Sequence, residues 1–182
     1  MGIKNIIEAV QRLLDSNNEQ LLIQQDGLII RSTSTVNSPA EEVVIAEFER
    51  QIGYRLPKDH RSFLLEYDGA NIYQFITDLG SNGGGGLEMF SVQEMKENLD
   101  YMKVVPDFLP IGSVDQQYLS ISLEAMEKKN PNYLFLLTNF DGPQALNLNF
   151  HLFLERFVIA QGIQFWEWPI SSADNPHYSD DE

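Results

Sequence analysis

The chain has 182 residues, a net charge of −15 and no cysteine. That length buries roughly 70% of the unfolded surface, enough for one domain without staples, and the missing thiols exclude both a disulfide framework and a thiolate metal site. The charge opposes binding to phosphate backbones, and it is spread along the chain, with 9 basic and 16 acidic side chains in residues 1–103 and 3 and 11 in residues 104–182.

The first stretch places Ile3, Ile6, Ile7, Val10, Leu13 and Leu14 at helical spacing with Glu8, Gln11 and Arg12 between them. This predicts an amphipathic helix over about 3–15 and not the unbroken apolar core of a signal peptide. No run approaches the roughly 18 apolar residues of a membrane span. A cytoplasmic protein is expected. Two apolar runs around Asp26-Gly27 then predict a hairpin with a two-residue turn.

A helix–bend–helix corner follows. Ser38 is placed to cap a helix with Pro39 at its first position, Ile45, Phe48 and Ile52 form its apolar stripe, and Gly53 stands at the left-handed C-terminal position. Leu56-Pro57 forces an extended bend. The chain restarts with His60, Phe63, Leu64 and Tyr67 at i, i+3, i+4 and i+7, and Asp68-Gly69 ends it. Ile72, Phe75 and Ile76 read as a strand, Gly80–Gly86 as a loop, and 87–90 as a further strand. Ser91 with Glu94 forms a capping box opening a helix to about Met102. Pro106 and Pro110 break the chain before Ile111. Tyr118, Ser120 and Ser122 alternate with Leu119, Ile121 and Leu123, as in a half-buried strand. Residues 133–137 read as a strand covered on both sides, 139–143 as a turn, 150–161 as a last helix ended by Gly162, and Ile163–Trp168 as an edge strand. Helices early and late around a run of strands argue an α+β fold with a mostly antiparallel sheet.

The pattern carried by Ile45, Phe48, Glu49, Ile52, Gly53, Leu56, Pro57, Asp59, Phe63, Leu64, Asp68 and Gly69 resembles the signature of the SUKH superfamily, which groups bacterial immunity proteins with a fungal cell-wall-assembly regulator. FLPIGSVDQQYLSISL (108–123) is similar to its central strand pair and NFHLFLERF (149–157) to its closing helix. Asp68 stands where the family more often has Asn, and Gly112-Ser113-Val114-Asp115 replaces its usual Gly-Asp-Gly. The resemblance implies a SUKH-like domain over 38–168, preceded by a helix-and-hairpin extension (1–37) packed on the core. A flexible acidic tail (169–182) follows.

Catalytic constellations are sparse. The glycine run lacks a phosphate loop's Gly-Lys-Ser/Thr ending and is flanked by Asp78 and Glu88, which repel phosphate. His60, His151 and His177 are not spaced as metal ligands; the first two fit structural roles within helices. Nothing assembles a nucleophile, base and oxyanion site, so no enzyme, cofactor or metal is expected. Binding is better supported. Tyr73, Phe75, Phe90 and Tyr118 are aromatics that periodicity does not all assign to the core, and Asp68, Asp78, Glu88 and Asp115 lie among them. An aromatic anchor ringed by carboxylates suits a basic protein face. The resemblance implies an immunity protein, a monomer or weak dimer, that neutralises a cognate toxin, a nuclease. The other reading is an intracellular scaffold or regulator of the same superfamily.

Overall fold

A computed structural model describes residues 2–24, 27–77, 80–81, 85–138 and 142–168. Asp26, Asp78, much of the glycine run, the 139–141 turn and the 169–182 tail with His177 therefore lie outside the described residues. In chain order the elements are α1 (Ile3–Arg12), β1 (Gln20–Ile23), β2 (Ile29–Val36), α2 (Glu42–Ile52), α3 (Lys58–Glu66), β3 (Ala70–Thr77), β4 (Gly80–Ser81) and β5 (Leu87–Met89). Then come α4 (Val92–Glu97) with a 3-10 turn (Asn98–Lys103), β6 (Phe108–Val114), β7 (Gln117–Ser122), α5 (Leu123–Glu127), β8 (Leu134–Thr138), β9 (Gly142–Ala145), α6 (Phe150–Ile159) and a last 3-10 turn (Phe165–Glu167).

Eight strands form one antiparallel sheet in the order β1-β2-β3-β5-β6-β7-β8-β9, with the short β4 on the outer end of β3. The α+β expectation with a mostly antiparallel sheet is met. The order follows the sequence because each strand returns beside its predecessor in the sheet, through a hairpin or through a connection carrying helices such as α2 and α3 between β2 and β3, which antiparallel pairing permits. One face is covered by α1, α3 and α6, whose Ile6, Ile7, Phe63, Leu64, Phe150, Phe153 and Phe157 are buried against Leu87, Leu119 and Leu136 of the strands. α4 and its 3-10 turn, the latter packed on β6, supply Met95, Leu99 and Met102. No helix among the described residues is long and apolar enough to cross a membrane.

Local chemistry explains most boundaries. α1 buries Ile3, Ile6, Ile7 and Val10, whereas Leu13 is 66% exposed just beyond its end. Gly53 takes the left-handed conformation (φ 78) that closes α2. The Ser91–Glu94 capping box is complete on both sides.

Several expectations are corrected. α2 starts after Glu41 instead of at Ser38, because the backbone of 37–40 is bound sideways to the end of α3. The Ala40 N–H donates to Leu64 at 2.9 Å and the Ser38 carbonyl accepts from Asp68 at 3.1 Å. The first hairpin has a longer turn than two residues, since the Gln24 N–H donates to Leu28 and Gly27 adopts φ 75. Pro110 lies inside β6, where a register shift between Pro110 and Gly112 absorbs the missing donor. Ser120 and Ser122 are buried; the second caps α5, accepting from the Ala125 N–H at 3.2 Å. Residues 163–168 form no edge strand. Phe165 and Trp166 instead pack on Phe153, each with ring centroids 5.8 Å away. The edge at that end of the sequence is β9, whose four residues are all exposed.

A candidate protein-binding groove

Where β3 ends, the sheet is left open beyond the C-terminal end of α6. The opening is a groove of about 610 Å³, walled by Leu28 of the first hairpin, Phe75, Gly85, Val114, Asp115 and the Gly162–Trp168 segment. Leu28 and Trp168 are 61% and 51% exposed. Among the described residues, Asp115 and Glu167 are its carboxylates and no lysine or arginine lines it. Leu28 lies opposite Gln24 on the face of the β1–β2 hairpin that carries the buried Leu22, whereas Leu21, Ile23 and Ile29, each more than 60% exposed, project from its other face. Large exposed apolar side chains such as Leu28 and Trp168 gathered around one hollow mark interaction sites in soluble proteins.

The wall is held by specific contacts. Asp115 and Gln116 form the two-residue β6–β7 turn, both with positive φ (47 and 63), between the paired Val114 and Gln117. This is the backbone that a tight hairpin of this twist requires. The Gln164 amide donates to the Asp115 carboxylate, tying the turn to the segment after α6. Gly85 (φ 70) lies so close to the Phe75 ring that any Cβ would overlap it. At Gly86 (φ 74) a Cβ would come within 2.5 Å of the Ile72 carbonyl oxygen. The end of the glycine run is thus packed on β3, which allows no side chain there.

The sequence candidates divide between the faces of the sheet. Phe75 and Asp115 meet in the groove. Glu88, Ser113 and Tyr118 form a cross-strand row on the other face and line a second hollow of about 470 Å³. There the Ser113 hydroxyl donates to Glu88 at 2.9 Å, and the Tyr118 hydroxyl lies 3.4 Å from Asn98 Oδ1. Asp68 has a structural task, accepting from the Val92 N–H at the start of α4 at 2.8 Å.

Neither Tyr73 nor Phe90 is on the surface: Tyr73 is 2% and Phe90 5% exposed. Between the pairs Thr33↔Gln74 and Thr35↔Asn71, Ile72 and Tyr73 together oppose Ser34, so β3 carries one extra residue. The bulge reverses the alternation and turns both side chains inward. Tyr73 takes φ 61, donates its N–H to Ser34 Oγ at 3.0 Å and its hydroxyl to the Val158 carbonyl at 3.3 Å, and stacks on Phe157. Burial raises its pKa to about 12. His60 is fully buried between Phe63 and Phe150, and desolvation lowers its pKa to about 4. The sequence reading missed Leu28, Gln164 and Glu167. The signal available was Gly162, which closes α6 at φ 83 and frees the following residues to fold back.

The comparisons with known proteins agree with this architecture. The chain is 31% identical over 177 residues to the uncharacterized protein YobM of Bacillus subtilis (strain 168), covering 95% of each. It is 24% identical over 141 residues to the uncharacterized protein YnaB of the same organism, covering 75% of this chain and 88% of that one. The profile of the SMI1/KNR4 family (SUKH-1) matches residues 39–156, from the α2–α3 corner to within α6. The chain belongs to the SMI1/KNR4 family.

Proposed function

We propose that this protein is an immunity protein: a non-catalytic, stoichiometric binding module that holds a cognate toxin, a nuclease, inactive in the cytoplasm of the cell that makes both. The observation that supports this reading is the groove itself. It joins Phe75, Leu28 and Trp168 with Asp115 and Glu167, has no lysine or arginine among the described residues that line it, and belongs to a chain of net charge −15. A nuclease cleft is basic because it must hold phosphates. Carboxylates on a rigid scaffold occupy such a cleft in place of substrate, without any bond being made or broken. The apolar side chains supply residence time, and the negative field supplies encounter rate.

The test is co-expression with the toxin encoded beside this gene. Growth should be restored by the wild-type protein and lost with Leu28→Asp combined with Trp168→Ala, two exposed changes that leave the core intact. The association rate of the pair should fall as salt rises, because the Debye length shrinks from roughly 30 Å at 0.01 M to about 8 Å at physiological ionic strength. Equal growth with and without the wild-type protein would overturn the proposal.

A further inference from the structure

At the opposite end of α6 lies a hollow of different character, about 710 Å³, between the Leu56-Pro57 bend, the end of α5 and the start of α6. Its apolar part comes from Leu56, Pro57, Met126, Pro131 and Tyr133. Around it stand Arg55, Lys58, Arg61 and Lys129 against only Glu49 and Asp59. In a chain with 12 basic side chains in all, 4 line this one hollow.

The charges are not equally available. Arg61 is paired with Glu42 and, at 3.4 Å, with Glu49. The Asp59 carboxylate is consumed inside the fold, accepting from the Tyr133 hydroxyl, the His60 N–H at 3.0 Å and the His151 N–H at 3.2 Å. Arg55, Lys58 and Lys129 are exposed and make no ion pair among the described residues. Two amides add to them. The side-chain oxygen of Asn130 is used by the Asn132 N–H at 3.0 Å and that of Asn149 by the Leu152 N–H at 2.9 Å, leaving both NH2 groups as donors. The first N–H groups of α6 are already taken, by Tyr133 for Phe150 and by Asp59 for His151. Recognition would therefore come from side chains and not from the helix end.

An apolar floor with a surplus of unspent donors calls for a ligand that is apolar in the middle and rich in acceptors on either side. We propose that this hollow is a second docking site, distinct from the groove, for an acidic peptide segment of a partner protein bearing one large apolar side chain. The apolar residue sits over Leu56, Pro57 and Met126. Its flanking carboxylates meet Arg55, Lys58 and Lys129, and its backbone carbonyls meet the Asn130 and Asn149 amides. The ten-residue α6, about 15 Å long, lies between this hollow at its start and the groove beyond its end, so one molecule can hold an acidic segment here and a basic face there.

The probe is the synthetic peptide acetyl-Glu-Glu-Phe-Glu-Glu-amide, titrated into the full chain and followed by backbone amide NMR shifts. Saturable shifts confined to 54–59, 126–131 and 149–151 are expected. Arg55→Glu with Lys58→Glu should weaken binding at least tenfold, replacing Phe by Ala in the peptide should do the same, and Trp168→Ala should leave it unchanged. Both reversed residues are exposed, and circular dichroism of the double variant checks its fold. Absence of saturable shifts, shifts in the groove, or equal binding of the Ala peptide, which would mean ion pairing without occupancy of the floor, would each overturn the proposal.

Discussion

The Tyr133 hydroxyl donates to the Asp59 carboxylate across 74 positions of sequence and accepts from the Phe150 N–H at 3.0 Å. Three elements, α3, the strand region before β8 and α6, are joined at one oxygen. Asp59 belongs to the Leu-Pro-x-Asp bend, which gives that motif a physical reason: the proline stands at the N-cap of α3, and the aspartate in the first turn fastens that helix to α6. Burial, and then the adjacent carboxylate, hold the Tyr133 hydroxyl well above the usual phenol range, which favours its role as donor to Asp59.

Tyr133→Phe keeps the ring and removes the oxygen, stranding the Phe150 N–H and one Asp59 acceptor. A loss of about 1–3 kcal/mol is expected, the cost of buried groups left unpaired. Urea denaturation measures it. A change indistinguishable from zero would show that the network is not stabilising.

His60 makes stability depend on pH. Its folded pKa of about 4 lies below the ordinary 6.5, chiefly because burial disfavours the cation, with Asp59 opposing the shift. The unfolded chain therefore binds the proton more readily. The stability it permits is complete above pH 6.5 and is lost as pH falls through the window down to about 4, at roughly 1.4 kcal/mol per unit. Neither ring nitrogen has a hydrogen-bond partner among the described residues. His60→Phe should flatten this part of the profile, as measured by thermal melts between pH 4 and 7.

Much of this arrangement is legible in the sequence. The stripes Ile45/Phe48 and Phe63/Leu64 are fully buried, as their spacing requires. What escapes is what alternation cannot encode. The bulge at Ile72-Tyr73 resets the period and converts an expected surface aromatic into core. β9 is exposed on both sides, so it shows no pattern at all. The five residues of α5 are too few to reveal a helical period. The far wall of the groove depends on Phe165 and Trp166 meeting Phe153, a tertiary contact with no local trace.

The two packed glycines should behave differently. Gly86→Ala drives a methyl group into the β3 backbone at a positive φ and should cost about 1–3 kcal/mol of stability. Gly85→Ala is also placed at a positive φ (70), but its methyl group meets the Phe75 side chain instead of backbone. It should lower the melting temperature less than Gly86→Ala does and, by displacing that ring, weaken partner binding more. Parallel melting and binding measurements on the two variants separate the effects.

The Asp115-Gln116 turn holds a glutamine at φ 63. Gln116→Gly relieves a conformation that costs a side-chain-bearing residue about 1 kcal/mol. After the roughly 0.5–1 kcal/mol chain-entropy cost of glycine is set against it, a net gain of at most about 0.5 kcal/mol by urea denaturation is expected. Retention of the Gln164–Asp115 contact should leave partner binding unchanged.

The groove takes Leu28 from one end of the chain, Phe75 and Val114 from its middle, and Gly162–Trp168 from beyond α6. A nascent polypeptide on the ribosome therefore has no such surface until every strand and α6 have already been made. If protection resides in the groove, it switches on in a single late step, and molecules whose translation stops early confer none, however well their first hairpins have formed.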